Sequence, residues 1–232
     1  MDANVRIDEE TLKANTYYKY RNLKDFERFL DVVVNRRLYG AVYKELNDPM
    51  EGKFNTTGLE KKDFDEIYKR LKTTRICSLL TKQKNQSFPD DYLMWSHYAD
   101  SHKGCCFELQ HSNQYNDGWK LLAVKYQDNL PIIDPTKLDE GIQNILSVKT
   151  TIWENEHEVR AVKQYEDDKF SIQSEFYHVK VNAIYFGERV TKKKCDFYRK
   201  VISRIRPEIQ LYRMIEDKTN PGFFPKLFPK PM

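Results

Sequence analysis

Short segments rich in β-forming residues alternate along this chain with segments whose apolar residues recur at helical spacing. Strand character is strongest in residues 17–21 and 178–186, and amphipathic helices are predicted over residues 24–36, 60–73 and 191–205. The strands are too irregularly spaced for repeated βαβ units. We therefore predict a single α+β domain with a mixed, mainly antiparallel sheet and flanking helices.

The rest of the chain continues this pattern. Further strands are predicted at residues 38–43, 76–80, 105–109, 121–126, 156–165 and 209–214, and further helices after Pro89 and around Leu138–Leu146. We expect residues 1–16 to be an N-terminal extension, residues 17–214 to be the domain and residues 215–232 to be a tail rich in Pro and Phe. That tail either docks its phenylalanines on the domain or is disordered.

The core is expected to contain many aromatic rings. Charged residues make up 32% of the chain and apolar residues only 40%, a balance that would suggest disorder. Aromatic residues nevertheless reach 13%, and large rings supply the burial that offsets chain entropy. Glycine is scarce, with 8 of 232 residues, which argues against a Gly-rich phosphate-binding loop.

The charge and cysteine patterns are those of a cytoplasmic protein. The net charge is +4, and acids and bases alternate except at Lys192–Lys194, a basic run that opens the last helix. The four cysteines form no Cys-x-x-Cys pair, so neither a metal site nor a disulfide framework is expected. The N-terminus lacks an apolar signal region, and no uncharged stretch approaches the ~20 residues of a membrane span. We therefore expect a cytoplasmic location and no membrane partner.

Residues 156–165 carry the first candidate site. Their alternation places Glu156, Glu158 and Arg160 on one face of a strand, with the two carboxylates ~6–7 Å apart. Like charges at this distance raise at least one pKa, as in a pair of catalytic carboxylates in a cleft. The alternative is an edge strand whose Glu–Arg ladder faces water.

Two further segments are rich in side chains with polar tips. Trp95, His97 and Tyr98 lie on the third predicted helix, where they either line a site or form a core-facing aromatic surface with a satisfied histidine. Asn47 and Asp48 belong to a polar turn that either positions a substrate group or is simply a turn.

Six short motifs follow one another along the chain. They are Tyr18–Arg21, Leu46–Glu51, Ile76–Ser78, Leu93–Gly104, Glu156–Arg160 and Ile184–Gly187. Together they resemble an uncharacterised, mainly bacterial family known as domain of unknown function 2971. The similarity runs from about Tyr17 to about Tyr212, and it supplies no established reaction.

The order of the polar residues is also similar to that in the arginine-serine-glutamate ADP-ribosyltransferases. These enzymes carry an Arg on the first strand, a Ser on a middle strand and a Glu-x-Glu on a late strand. The resemblance implies that Arg21 holds a phosphate of NAD and that Ser78 orients the nicotinamide ribose. Glu158 would bond the ribose 2′-hydroxyl and stabilise the oxocarbenium-like transition state, while Glu156 would activate the acceptor.

The same resemblance points to side chains that would bind NAD. Tyr20, Trp95 and Tyr98 would stack on nicotinamide or adenine, and His97 would donate a further hydrogen bond. The other expected binding residues are Asn47, Asp48 and Arg160.

We therefore predict ADP-ribosyl transfer from NAD, or NAD cleavage, by an effector, toxin or phage-defence protein. Its acceptor would be a protein or a nucleic acid, and a neutralising partner protein is expected if it is a toxin. The alternative is a nucleic-acid- or nucleotide-binding effector without transferase activity, which would use the basic last helix and the aromatic and basic residues of Tyr17–Arg21. A third interpretation is a catalytically silent protein whose tail docks on a partner.

Overall fold

A computed structural model describes residues 16–81, 89–112, 115–165, 175–216 and 227–232. The α-helices are α1 (Phe26–Val34), α2 (Lys61–Thr73), α3 (Tyr92–Tyr98), α4 (Leu138–Ser147) and α5 (Lys192–Ile205). The strands are β1 (Tyr17–Arg21), β2 (Arg37–Gly40), β3 (Thr74–Thr81), β4 (Cys105–His111), β5 (Lys120–Ala123), β6 (Lys125–Tyr126), β7 (Val148–Lys149), β8 (Glu158–Gln164), β9 (Glu175–Phe186), β10 (Gln210–Glu216) and β11 (Leu227–Pro231). Short 3-10 helices lie at Tyr43–Glu45, Pro135–Lys137 and Thr151–Glu156.

Local sequence explains where the helices begin. The Asp91 carboxylate caps α3 by accepting hydrogen bonds from the backbone N–H groups of Leu93 and Met94, at 2.9 and 3.2 Å. Asp25 caps α1 and Thr191 caps α5 in the same way. The helices predicted from apolar spacing are present, with bounds within two residues of those predicted.

Within the described residues, nine strands are hydrogen-bonded into one mixed sheet. Its order is β11-β10-β9-β4-β1-β3-β8-β5, with β2 paired to β9, and β6 and β7 form a separate parallel pair. The pairs β1–β3, β1–β4, β4–β9, β5–β8 and β10–β11 are antiparallel, whereas β9–β10 is parallel. The predicted α+β class with a mixed, mainly antiparallel sheet is confirmed. The likeness to ADP-ribosyltransferases stays a prediction.

The chain divides into two compact units, each built from separated stretches of sequence. The first unit contains the described parts of Tyr39–Leu79 and Gln114–Tyr177. The second contains those of Ala14–Leu38, Leu80–Asn113 and His178–Met232. Residues 17–214, predicted as one domain, are therefore shared between the two units. None of the helices in the described parts is long and apolar enough to cross a bilayer.

The core of the first unit is mainly aliphatic. Its buried members are Tyr43, Phe54, Ile67, Leu71, Ile76, Ile133, Ile142, Ile145, Leu146 and Val162. Residues of α2 and α4 supply much of this cluster because their apolar residues recur at helical spacing. This cluster contains two rings, Tyr43 and Phe54, among its ten buried members.

The core of the second unit is rich in rings, as predicted. One cluster of its buried residues consists of Tyr18, Tyr20, Met94, Trp95, Ala99, Cys106, Ala183, Tyr185, Met214 and Leu227. The β11 residue Leu227 belongs to the predicted tail, and β11 pairs along β10 at one end of the sheet order. This part of the tail is thus paired with the domain, whereas Phe223 and Phe224, whose docking the sequence predicts, lie outside the described residues.

Candidate active site

The residues of the first candidate site begin in a 3-10 helix rather than in a strand. Glu156 is the last residue of the 3-10 helix Thr151–Glu156, and His157 follows with a left-handed backbone of φ 47°. This turn delays the start of β8 to Glu158, so the predicted strand over 156–165 is two residues too long at its beginning. Glu156 therefore does not share a strand face with Glu158 and Arg160.

The centre of the site is the guanidinium of Arg160 in the first unit. Its Nε donates to Oε1 of Glu158 at 2.9 Å, and its Nη1 donates to Oε2 of Glu51 at 2.8 Å. Nη1 also donates to the backbone carbonyl of Leu146 at 2.9 Å. The Arg160 side chain is 1% exposed, and the side chains of Glu158 and Glu51 are 2% and 6% exposed. These groups form a buried ion network, not a ladder on the wet side of an edge strand.

Lys149 provides the second cation of the network. Its Nζ lies 2.6 Å from Oε2 of Glu156 and 3.2 Å from Oε2 of Glu158. The same Nζ lies 4.9 Å from the ring centroid of Trp153, which is a cation–π distance. Glu156 and Glu158 thus meet at one ammonium group although they lie on different elements.

Two hydroxyl groups complete the surroundings of Glu158. The Ser78 hydroxyl on β3 donates a hydrogen bond to the Glu158 carboxylate, and β3 neighbours β8 in the sheet. The backbone N–H of Glu158 donates to the Tyr126 hydroxyl oxygen at 2.8 Å. Ser78, Tyr126 and Trp153, which contact the network, are half-buried.

The pKa values of the two carboxylates that bind Arg160 are shifted in opposite directions. Burial alone would raise the pKa of Glu158, but Arg160, Lys149 and the Ser78 hydroxyl lower that pKa to about 2. Burial raises the pKa of Glu51 above its usual value, and the opposing pull of Arg160 does not cancel this effect. Glu158 is therefore held as a carboxylate, whereas Glu51 takes up a proton more readily.

The charges of the network do not balance. Three carboxylates face two cations when all five groups are ionised: Glu51, Glu156 and Glu158 against Lys149 and Arg160. In a water-poor site, the remaining negative charge favours either a proton or a positively charged ligand. Among the described residues, no group of three His, Cys, Asp or Glu side chains is arranged to hold a metal ion.

Arg21 belongs to the second unit, whereas Ser78 and Glu158 belong to the first. It lies at the end of β1 and lines a concavity of about 270 Å³ together with Lys24 and Arg28. Asp25 lines the same concavity, and Lys24 and Arg28 are paired with Asp100 and Asp25 at 2.9 and 3.1 Å. The role of Arg21 in binding an NAD phosphate stays a prediction.

Two of the predicted stacking rings are core residues of the second unit. Trp95 is fully buried and donates from Nε1 to the backbone carbonyl of Pro89 at 2.6 Å. Tyr20 is 6% exposed and packs edge-on against Trp95, with ring centroids 5.1 Å apart. Because their faces are covered by other core residues, these rings are not placed to stack on a base. The same applies to Tyr17 and Tyr18 in the predicted aromatic and basic surface of β1.

The remaining predicted residues lie outside the network. His97 is exposed and Tyr98 is half-buried on α3 in the second unit. Asn47 is exposed, and the buried Asp48 carboxylate accepts a hydrogen bond from the backbone N–H of Met50 at 2.9 Å. Asp48 thus stabilises its own turn, as the structural alternative for this segment predicted.

Sequence reasoning missed Glu51, Lys149, Tyr126 and Trp153. Glu51 belongs to the same polar turn as Asn47 and Asp48, and the sequence does not distinguish which of these polar side chains faces the site. Lys149 lies seven residues before Glu156 and nine before Glu158, spacings that carry no periodic signal. No family model, no curated protein and no solved structure matches the chain, so its membership of the family of domain of unknown function 2971 stays a prediction.

Proposed function

We propose that the first unit cleaves the N-glycosidic bond of NAD and transfers the ADP-ribose to an acceptor or to water. The observation that carries this proposal is the pair of carboxylates bound to Arg160, with the pKa of Glu158 lowered and that of Glu51 raised. Two carboxylates whose pKa values are pushed apart are the usual arrangement for chemistry at an anomeric carbon.

Glu158 has the properties required to stabilise positive charge. As nicotinamide leaves with the electron pair of the C–N bond, the ribose develops oxocarbenium character, and a fixed carboxylate favours that charge. The pKa of about 2 keeps Glu158 ionised at neutral pH. The Ser78 hydroxyl, bound to the same carboxylate, would direct one oxygen toward the ribose 2′-hydroxyl.

Glu51 is the better candidate for activating the acceptor. Its raised pKa brings it closer to the working range of a general base, which takes the proton from the acceptor hydroxyl as the new bond to the ribose forms. Glu156 was predicted for this role, but its carboxylate is bound by Lys149 at 2.6 Å. The half-buried Trp153 replaces Trp95 as the ring that would stack on nicotinamide.

The charge of the network and the state of the cysteines agree with NAD as the substrate and with a cytoplasmic location. The leftover negative charge of the network matches the positive charge of the nicotinamide ring of NAD. The four cysteines are buried and are not joined in disulfides, which fits the reducing cytoplasm proposed for this activity. The proposed roles of effector, toxin or phage-defence protein follow from the activity and from the resemblance to the bacterial family.

The test is release of nicotinamide from NAD by the full chain, measured by chromatography. We expect Glu158→Gln to lower the rate by ~100-fold or more, because a single group that stabilises transition-state charge contributes that much. Glu154→Gln is the matched control, since Glu154 lies on the same 3-10 helix as Glu156 and is exposed. Thermal unfolding of each variant verifies that it is folded.

The pH dependence of the rate of nicotinamide release identifies the general base. Glu51→Gln should abolish the rise of the rate with pH that a carboxylate base of raised pKa produces, while Glu156→Gln should retain it. If wild-type protein releases no nicotinamide with protein, RNA, DNA or water as acceptor, and NAD does not raise its unfolding temperature, the transferase proposal is wrong.

A second candidate function is binding of single-stranded RNA by α5. Lys192, Lys193 and Lys200 line a surface concavity of about 540 Å³, together with Asp196 and with Phe197, which is 50% exposed. An exposed ring between cations suits stacking on a base and contact with phosphate. Replacing Lys192 and Lys193 by Gln should then reduce the salt dependence of RNA binding, whereas the exposed pair Lys61 and Lys62 on α2 serves as control.

A further inference from the structure

A second concavity borders the concavity of Phe197 on the surface of α5 in the second unit. Its volume is about 560 Å³, and Lys200 lines both concavities. Arg199 and Ser203 of α5 also line the second concavity, as does Pro207 in the turn that follows the helix. The two concavities therefore adjoin at one lysine and form a continuous track on the helix.

The spacing of the lining residues keeps this track on one face of α5. Lys192, Asp196 and Lys200 are four residues apart, and Ser203 follows three residues later. At 1.5 Å per residue, the distance along the helix axis from Lys192 to Ser203 is ~16 Å. Stacked nucleotides of one strand are only ~3.4 Å apart along a duplex. The track is therefore long enough for more than one nucleotide.

The charges along the track favour an anionic ligand. The three lysines of the first concavity are exposed, and each acid of the lining has an arginine partner. Oδ1 of Asp196 lies 3.4 Å from Nη2 of Arg199, and Oε1 of Glu208 lies 3.9 Å from Nη1 of Arg206. The lysines therefore supply an excess of positive charge, as contact with phosphate requires.

The Ser203 hydroxyl is arranged to accept a hydrogen bond from a ligand. Its Oγ donates to the carbonyl of Arg199 at 2.7 Å, which engages the one proton of the hydroxyl, and the residue is exposed. The lone pairs of Oγ can then only accept. An ionised phosphate oxygen carries no proton and cannot serve as donor to Oγ, whereas the 2′-hydroxyl of a ribose can. Ser203 therefore suits a ribose rather than a deoxyribose.

We propose that the second concavity binds the ribose next to the nucleotide that stacks on Phe197, and that Ser203 accepts a hydrogen bond from its 2′-hydroxyl. Lys200, which lines both concavities, would contact the phosphate between the two nucleotides. This inference rests on the second candidate function, and it adds that the partner is RNA rather than DNA. It involves no residue of the network around Arg160 and is independent of the proposed NAD chemistry.

The experiment measures binding of the full chain to labelled octamers of U, of dU and of 2′-O-methyl-U by fluorescence anisotropy at low salt. The 2′-O-methyl strand keeps the oxygen of the 2′-hydroxyl but lacks its proton, so it tests donation by that group directly. We expect the U octamer to bind ~5-fold more tightly than the other two, the contribution of one hydrogen bond between neutral groups.

Ser203→Ala should abolish the preference for the U octamer and leave the Kd for the dU octamer unchanged. Ser203→Thr keeps the hydroxyl and should retain the preference. Alanine is a good helix former and the position is exposed, so the Ala variant should fold. Phe197→Ala is the matched control on the same helix. It should weaken binding of all the octamers by ~10-fold, because each loses a stacking ring, and should keep their relative affinities.

The outcomes separate this inference from the second candidate function. If the U and dU octamers bind equally and Phe197→Ala weakens both, α5 binds single strands but the inference is wrong. A 2′-O-methyl octamer that binds as tightly as the U octamer, or a preference for U that survives in Ser203→Ala, also overturns it. If no octamer binds, the second candidate function and the inference are both wrong.

Discussion

Glu51 and Arg160 lie 109 residues apart in the chain, and both oxygens of the Glu51 carboxylate accept hydrogen bonds from the terminal nitrogens of the Arg160 guanidinium. The same guanidinium binds Glu158 through Nε at 2.9 Å. One buried cation therefore compensates two carboxylates from distant parts of the sequence. Without it, Glu51 would lose its ion pair, and Glu158 would keep the ammonium of Lys149 and the hydroxyl of Ser78.

Replacing Arg160 by Met should lower the free energy of unfolding by about 3–5 kcal/mol, the cost of removing one partner from a buried ion pair. Urea denaturation at neutral pH measures this loss. Lys163→Met on the same strand is the control, because its Nζ lies 3.8 Å from Glu175 and its side chain is 24% exposed. That change should cost about 1 kcal/mol or less. Equal losses in the two variants would contradict the description of the network.

Glu158 should make stability depend on pH in the acid range. Its pKa falls from the usual 4.5 to about 2 on folding, so the stabilisation is present above pH 4.5 and is lost as the pH falls through 2. The amount is on the order of 3 kcal/mol. The difference in unfolding free energy between wild type and Glu158→Gln should be largest above pH 4.5 and should shrink toward pH 2.

Chemical denaturation in a series of buffers tests this pH dependence. Glu154→Gln, which changes an exposed carboxylate nearby, should give a curve parallel to that of wild type. A Glu158→Gln curve that also runs parallel would show that Glu158 is not held ionised in the native state.

Ser78→Ala should slow nicotinamide release by ~10-fold, because a hydrogen bond to a charged group contributes roughly 1.5–3 kcal/mol. The reason is that Glu158 loses a donor that both lowers its pKa and orients its carboxylate. Ser78→Thr keeps the hydroxyl and should retain most of the activity. If Ala and Thr are equally slow, the hydroxyl is not the group that matters.

Trp153→Ala should raise KM for NAD by ~10-fold, since stacking on an aromatic ring contributes about 1–3 kcal/mol per base. Trp153→Phe keeps a ring and should change KM little. Ile152, the preceding residue, is 79% exposed and provides the control substitution to Ala. A KM that is unchanged in Trp153→Ala would remove this ring from the binding site.

Gly187→Ala should destabilise the second unit strongly. An added Cβ would lie 2.1 Å from the backbone carbonyl oxygen of His102, and backbone cannot move aside as a flexible side chain can. Gly58→Ala is the comparison, because its φ is 81° and open space surrounds the added Cβ. That change should cost only the ~1–2 kcal/mol of a left-handed residue. Thermal unfolding of the two variants tests this prediction. A smaller loss of stability in Gly187→Ala than in Gly58→Ala would contradict the close approach of Gly187 to the His102 carbonyl.

The helices were predictable because short stretches of sequence determine them. The spacing of apolar residues determines the buried faces of α2 and α4, and the capping residue Asp91 determines where α3 begins. The beginning of β8 was missed because alternation alone cannot reveal the left-handed backbone of His157, which separates Glu156 from the strand.

The candidate site was predictable only in part. The sequence indicated three of its members, Glu158, Arg160 and Ser78. They are polar residues in otherwise apolar strand segments, where polar side chains need a partner or a ligand. Glu51 and Lys149 join them only through tertiary contacts, which no spacing in the sequence encodes. The aromatic residues Tyr20 and Trp95 were misjudged since burial, not composition, decides whether a ring is open to a ligand.

The last strand has a consequence for the behaviour of the protein in a crowded solution. In β11, Pro229 lies opposite Met214 and Pro231 lies opposite Tyr212, at one end of the sheet order. A proline has no N–H to offer, so two of the five residues of this strand cannot donate to an incoming strand. The two prolines of β11 therefore disfavour edge-to-edge pairing of the sheets of two molecules.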